Sequence, residues 1–178
     1  MDQWSFTAPF EGIVPHLYLD SGGLLTCGVG FLVEDERELR RLPWSPNVQA
    51  AVADARAVKD TLHVEPGQLW HARAASAYRP LCSARLSEAS MHAIFADKVL
   101  AFRRAIDPAW KLTNWPEPVQ LALVDMAYNL GVGGLNKYRR LQMAVFARQW
   151  HVAADECARR GIQAARNEAT RRLFLSAV

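Results

Sequence analysis

Residues 10–32 read FEGIVPHLYLDSGGLLTCGVGFL, a short run that holds two carboxylates, Glu11 and Asp20, among a proline, aromatic rings and glycines. On one helix the nine-residue step from Glu11 to Asp20, at about 100° per residue, would turn the two carboxyl groups to opposite faces. Pro15 and the Gly22–Gly23 pair break such a helix in any case. The carboxylates can therefore cooperate only through a fold-back. His16 to Asp20 and Leu24 to Val33 read as two strands, joined at Ser21, Gly22 and Gly23, where glycine permits the positive φ of a tight hairpin. With a turn at 21–23, Asp20 pairs with Leu24, and Thr26 lies on the same face one diagonal step away. A slip of one residue separates these side chains onto opposite faces. Gly28 and Gly30 clear the Thr26 face, so an extended ligand can approach the backbone. Glu11 stands at the edge, where the chain enters the hairpin.

Such an arrangement suits glycoside hydrolysis, in which one carboxylic acid protonates the leaving oxygen and a second group across the sugar positions water or acts as nucleophile. Glu11, beside Phe10, Ile13 and Val14, has an apolar surround that favours the protonated form. Asp20, at a turn and open to water, stays ionised. Thr26 is too weak a base to act alone, but its hydroxyl can hold a water. Carboxylates beside a hairpin are also ordinary solvated turn residues, and spacing alone leaves both readings open.

The chain has 178 residues, 51% hydrophobic and 22% charged, a balance that suits one compact domain with a sizeable core and excludes a disordered chain. The net charge of +3 favours anionic partners only weakly, because basic and acidic residues are interspersed. No helix has a basic face free of acidic residues, which argues against nucleic acid as a partner. Cys27, Cys82 and Cys157 form no close pair, so buried reduced thiols are expected. The histidines at 16, 63, 71, 92 and 151 lack metal-ligand spacing, and neither metal nor cofactor is expected. No signal peptide is visible in MDQWSFTAPFEG, and no apolar run of about 18 residues suggests membrane insertion.

Helices dominate the rest. The first ten residues read as helix or ordered coil, with Asp2 as cap and Pro9 near the end. The run EDERELRR at 34–41 reads as a solvated face, and Val48, Val52, Ala55, Val58 and Leu62 recur at helical spacing. Residues 65–86 form an irregular segment with one short helix at most. Ser87 caps a helix striped by Met91, Phe95, Val99, Phe102 and Ile106. Pro116 opens another, striped by Val119, Leu123, Met126 and Leu130 and stopped at Gly131. Shorter helices cover 137–148, 150–159 and 167–177.

The spacing of Glu11, Asp20 and Thr26, followed by Gly28 and Gly30 in TCGVG and with Tyr18 before the aspartate, resembles the catalytic segment of the phage-type lysozymes, glycoside hydrolase family 24. PEPVQLALVDMAYNLGVGGLNKY at 116–138 resembles the family's central helix and following turn, and RQWHVAADEC with ARNEATRRLF resembles its closing helices. The resemblance implies a mainly helical α+β, lysozyme-like fold in two lobes with the sugar cleft between them: a hairpin lobe at about 11–35, an irregular insert at about 63–86 and a helical lobe at about 87–178. It implies Glu11 as general acid, Asp20 as the carboxylate across the sugar, Thr26 as holder of the attacking water, and Arg166 as the arginine that orients Glu11. Leu32, Tyr128 and Gly30 fall where the family lines the sugar cleft.

The activity implied is hydrolysis, with inversion, of the β-1,4 bond between N-acetylmuramic acid and N-acetylglucosamine in bacterial peptidoglycan. A monomer is expected, made in the cytoplasm and acting in the periplasm or wall of a target bacterium. It would serve there as a phage endolysin or as an antibacterial effector with an immunity protein as partner. A lytic transglycosylase using Glu11 alone, or a wall-glycan-binding module without catalysis, are the competing classes. Phe31 stands where the family often has histidine, and Trp44, Trp70 and Tyr78, in the poorly matching stretch 34–85, are candidates for stacking on sugars.

Overall fold

A computed structural model describes residues 1–63 and 71–177. The chain divides into two compact units, a helical one of Met1–Phe10 with Ala96–Val178 and a sheet-bearing one of Glu11–Phe95. The chain passes from one unit to the other inside α1 (Gln3–Glu11) and again inside α4 (Glu88–Trp110). The architecture is α+β and mainly helical.

In the sheet unit, β1 (Val14–Leu19), β2 (Leu25–Gly28) and β3 (Phe31–Leu32) form an antiparallel sheet in the order β1-β2-β3. Leu19 faces Leu25 and Tyr18 faces Thr26. The Asp20 amide donates to the Leu24 carbonyl at 3.0 Å, so the expected register holds through the turn. The second expected strand is in fact two. Gly28 and Gly30 take φ of +62° and +60°, left-handed values that fold Phe31 and Leu32 back onto Cys27 and Thr26.

The acidic and basic run read as a solvated face is also a helix, α2 (Glu36–Arg41), because Asp35 caps it by accepting from the Glu38 amide at 2.8 Å and Glu36 pairs with Arg40. Asn47 similarly caps α3 (Val48–Asp60). From α3 the buried Asp54 carboxylate accepts from the amides of Ser83 and Ala84 at 2.9 and 2.7 Å. A 3-10 turn spans Ala75–Leu81 and meets β1: His16 Nε2 lies 2.9 Å from the Ala75 carbonyl, and the Cys82 thiol donates to the Leu17 carbonyl. Residues 75–84 are thus held to α3 and to β1 by polar contacts that hydrophobic periodicity does not announce. Trp70 lies outside the described residues.

The helical unit contains α1 up to Phe10, the second half of α4, α5 (Glu117–Leu135), α6 (Arg139–Phe146), α7 (Trp150–Glu156) and α8 (Ala164–Leu175). Asp2 accepts from the Ser5 amide at 2.8 Å and so caps α1, as its position suggests. Gly131 interrupts α5 with φ +71° and ψ 164°, at the expected stop. Ile106, Trp110, Leu123, Met126, Leu135 and Phe174 are fully enclosed in the core. At about 1.5–3 kcal/mol for each large apolar side chain, this burial is what makes the weakly patterned closing helices stable. No helix among the described residues is long and apolar enough to cross a membrane. All three cysteines are buried, as expected.

Candidate active site

Glu11 is the last residue of α1, and Gly12, with φ +81°, turns the chain directly into the sheet. The helix end thereby sets a half-buried carboxyl group at the sheet's margin. Its Oε2 comes so close to Gly30 that a Cβ added there would lie 3.3 Å away. Gly30 is therefore both a turn former and the floor against which the acid rests. A side chain at position 30 would push on the carboxylate.

Asp20 Oδ1 accepts from the amides of Gly22 and Leu24 at 2.8 and 2.9 Å. One carboxylate oxygen thus builds the turn that fixes the hairpin register. Within the sheet, Tyr18, Thr26 and Leu32 face one another in a row across the three strands, so their side chains share a face, and Asp20 lies one diagonal step from Thr26. Thr26 is buried, and its hydroxyl donates to the Leu24 carbonyl at 3.0 Å.

Tyr18 joins this group, although the sequence offered it only as an aromatic companion of Asp20. Burial pushes its phenol up to about 12, and the electrostatic influence of neighbouring Cys27, Asp20 and Glu11 adds to the effect. It remains a neutral hydroxyl at physiological pH, within the field of both carboxylates. Alternation along β1 was the available signal, since residues 18 and 20 must share a face. Trp44 and Tyr78, by contrast, are buried in the sheet unit, the Trp44 indole donating to the Leu39 carbonyl at 2.9 Å, so neither ring is open to a sugar.

Two further candidates lie in the helical unit. Tyr128 is buried in α5, its ring 5.6 Å from that of Phe102 and beneath the Lys98 ammonium, which stands 4.4 Å from the ring centroid. Arg166 of α8 is buried, and its Nε and Nη2 donate to the two oxygens of Asp125 at 3.2 and 2.8 Å. Asp125 also accepts from Arg159 at 3.0 Å and from the Thr7 hydroxyl at 3.0 Å. Burial holds Arg159 below the usual arginine range; Asp125 opposes that shift and Arg166 adds to it. Asp125 was absent from the expected site, because its arginine partners lie 34 and 41 residues away and its position reads as one more place in a core helix.

Among the described residues, no cluster of three His, Cys, Asp or Glu side chains is arranged to hold a metal. What the sheet unit assembles is two carboxyl groups, a buried hydroxyl and the glycine turn against which Glu11 rests, a set suited to acid-assisted transfer of a glycosyl group to water. The family described as phage lysozyme matches residues 8–165, most of the chain and all of this set. The search of curated proteins returns no match. The chain belongs to the phage lysozyme family, and membership makes it a peptidoglycan-hydrolysing lysozyme, an enzyme of glycoside hydrolase type.

Proposed function

We propose that this lysozyme is a muramidase that cleaves the β-1,4 bond between N-acetylmuramic acid and N-acetylglucosamine with inversion. Glu11 is the general acid, and Asp20 and Thr26 hold the attacking water. The observation that supports this most is the convergence, within one unit, of Glu11 on the Gly30 backbone and of Asp20 on the diagonal from Thr26.

Hydrogen-bond capacity then orients the water. The Thr26 hydroxyl spends its single proton on the Leu24 carbonyl, so toward any other group it is an acceptor. Asp20 is an acceptor as a carboxylate, and with Oδ1 holding the turn, Oδ2 is the oxygen available to solvent. A water between them donates one hydrogen to each and turns its lone pairs outward, toward an anomeric carbon. As it attacks, Asp20 takes up its proton while Glu11 gives one to the departing oxygen on the other face of the sugar, the geometry of inversion. Leu32, on the same sheet face as Thr26, and Gly30 supply apolar surface and close backbone approach for the sugar.

Roles for Tyr128 in sugar binding and for Arg166 in orienting Glu11 belong to the same proposal. The second is supported by the burial of Arg166 and by its guanidinium lying 5.7 Å from the ring of Phe10, the residue before Glu11. Action outside the producing cytoplasm, as an endolysin or as an effector countered by an immunity protein, follows from where the substrate class is found and stands with this reading.

Glu11→Gln should lower the rate of release of reducing ends from purified sacculi by about 10²–10⁴-fold, with Tm unchanged. Equal activity of variant and wild type would remove the proposal. Asp20→Asn separates the reaction types: a water-activating role predicts a fall of about 10²-fold or more. A transglycosylase would tolerate the change and leave anhydro-muropeptides, visible by mass spectrometry.

A further inference from the structure

We infer that Asp125 is a positioning residue, whose buried carboxylate clamps α1 to α8 and thereby fixes where Glu11 stands at the end of α1. The inference rests on the proposed role of Glu11 and adds a residue that the Glu11, Asp20 and Thr26 pattern does not contain.

Asp125 is wholly enclosed. One carboxylate there meets two guanidinium groups, Arg159 and Arg166, both buried. A cluster meant only to hold the core together needs no second arginine, since each buried charge carries a desolvation cost. The contacts explain the extra cation by their direction. On one side the cluster reaches α8: Arg159 Nη2 donates to the Thr170 hydroxyl at 2.7 Å, and that hydroxyl donates to the Arg166 carbonyl at 2.9 Å. On the other side it reaches α1: the Thr7 hydroxyl donates to Asp125 Oδ1, and Gln3 donates to Thr7 at 2.8 Å. The Arg166 guanidinium, its Nε and Nη2 fixed by Asp125, stands over the ring of Phe10.

Thr7 and Phe10 lie four and one residues before Glu11, so the last turn of α1 is held at a hydroxyl and at a ring. The Phe10 carbonyl also accepts from Gln163 Nε2 at 3.4 Å, adding a third hold on that turn. Pro9 sits within the same turn and lacks an N–H to contribute to the helix, so fixation from outside compensates for a weakened backbone ladder. A general acid at a fraying helix end would wander, and misplacement by about 1 Å can cost 10²-fold in rate.

Two hydroxyl deletions of matched size test the clamp. Thr7→Val removes the donor on the α1 side, and Thr170→Val removes one on the α8 side. The expected result is amide hydrogen exchange at Phe10 and Glu11 accelerated about tenfold in Thr7→Val only. It is accompanied by a fall of roughly tenfold or more in kcat with KM retained. Thr170→Val should change neither beyond its effect on Tm. Equal effects of the two variants, or faster exchange in Thr7→Val with kcat intact, would overturn the inference. An inactive wild type defeats the functional reading itself and the catalytic part of the inference with it. The exchange rates then still decide whether Asp125 holds the helix end.

Discussion

Asp20 and Asp125 are held in opposite ways. Asp20, half-buried in the sheet unit, rests one oxygen on two backbone amides from its own turn. Asp125, enclosed in the helical unit, is held by two arginine side chains from distant parts of the chain and by a threonine of α1. The first arrangement is local and rests on one oxygen, whereas the second engages both. Exposure follows from this, since a carboxylate that is to exchange protons with a substrate has to keep contact with solvent. One that is to fix geometry is safest with every lone pair engaged.

The same substitution at both places separates the two arrangements most strongly, through its effect on stability. Asp125→Asn leaves two buried guanidinium groups facing a neutral amide and should cost about 3–5 kcal/mol. In a chain of this size that is a fall in Tm of roughly 10 °C or more. Asp20→Asn keeps an acceptor for both turn amides and should cost no more than about 1 kcal/mol while activity is lost. Equal losses of stability, measured by chemical denaturation, would mean that the two carboxylates are not held differently at all.

The same contrast explains what the sequence disclosed. The hairpin register was legible because glycines at 22 and 23 and the alternation of β1 act over a few residues, and the Asp20–Thr26 diagonal follows from register alone. The long striped helices α4 and α5 were legible for a similar reason. The division of the second strand at Gly28 and Gly30 was not, because both glycines served equally well as open floor or as turn. Helix α2 was missed because its stability comes from the Asp35 cap and ion pairing in a run with a single buried apolar residue, Leu39. The Asp125 cluster lay furthest from view. Its members come from α1, α5, α8 and the stretch before α8, and nothing in LVDMAY marks the aspartate as more than a polar intrusion on a core stripe.

A smaller effect isolates the contact between Glu11 and its floor. Gly30→Ala and Gly161→Ala both force a side chain into left-handed backbone, with φ of +60° and +76°. Each should cost about 1–2 kcal/mol. Only at Gly30 does the new Cβ meet the Glu11 carboxylate, at 3.3 Å; at Gly161 nothing lies within 4 Å. Activity per folded molecule should therefore fall in the first variant and hold in the second. Loss of activity in both would assign the effect to backbone strain and not to Glu11.

The smallest effect concerns how the sheet unit holds its appended segment. His16 is buried on β1, with Nε2 2.9 Å from the Ala75 carbonyl. Burial holds its pKa below 6.5, the Ala75 hydrogen bond opposes this, and the charges of Arg85 and Arg79 lower it further. The neutral ring is thus the form the fold accepts, with Nε2–H donating to the carbonyl. Because the folded pKa lies below the unfolded one, the unfolded chain binds the proton more readily through this window. His16 therefore contributes its full stability above about pH 6.5 and loses it as pH falls toward the folded value. His16→Gln keeps an N–H for Ala75 but cannot titrate. Between about pH 7.5 and about pH 5.5, wild-type Tm should fall by a few degrees more than that of the variant. A parallel pair of Tm curves would mean that the imidazole takes up its proton without disturbing the strand. The segment from Ala75 to Leu86 would then owe its place to its other contacts, among them the buried Tyr78, the Cys82 thiol on Leu17, Asp54 on the Ser83 and Ala84 amides, and the Leu86 amide on the Pro15 carbonyl.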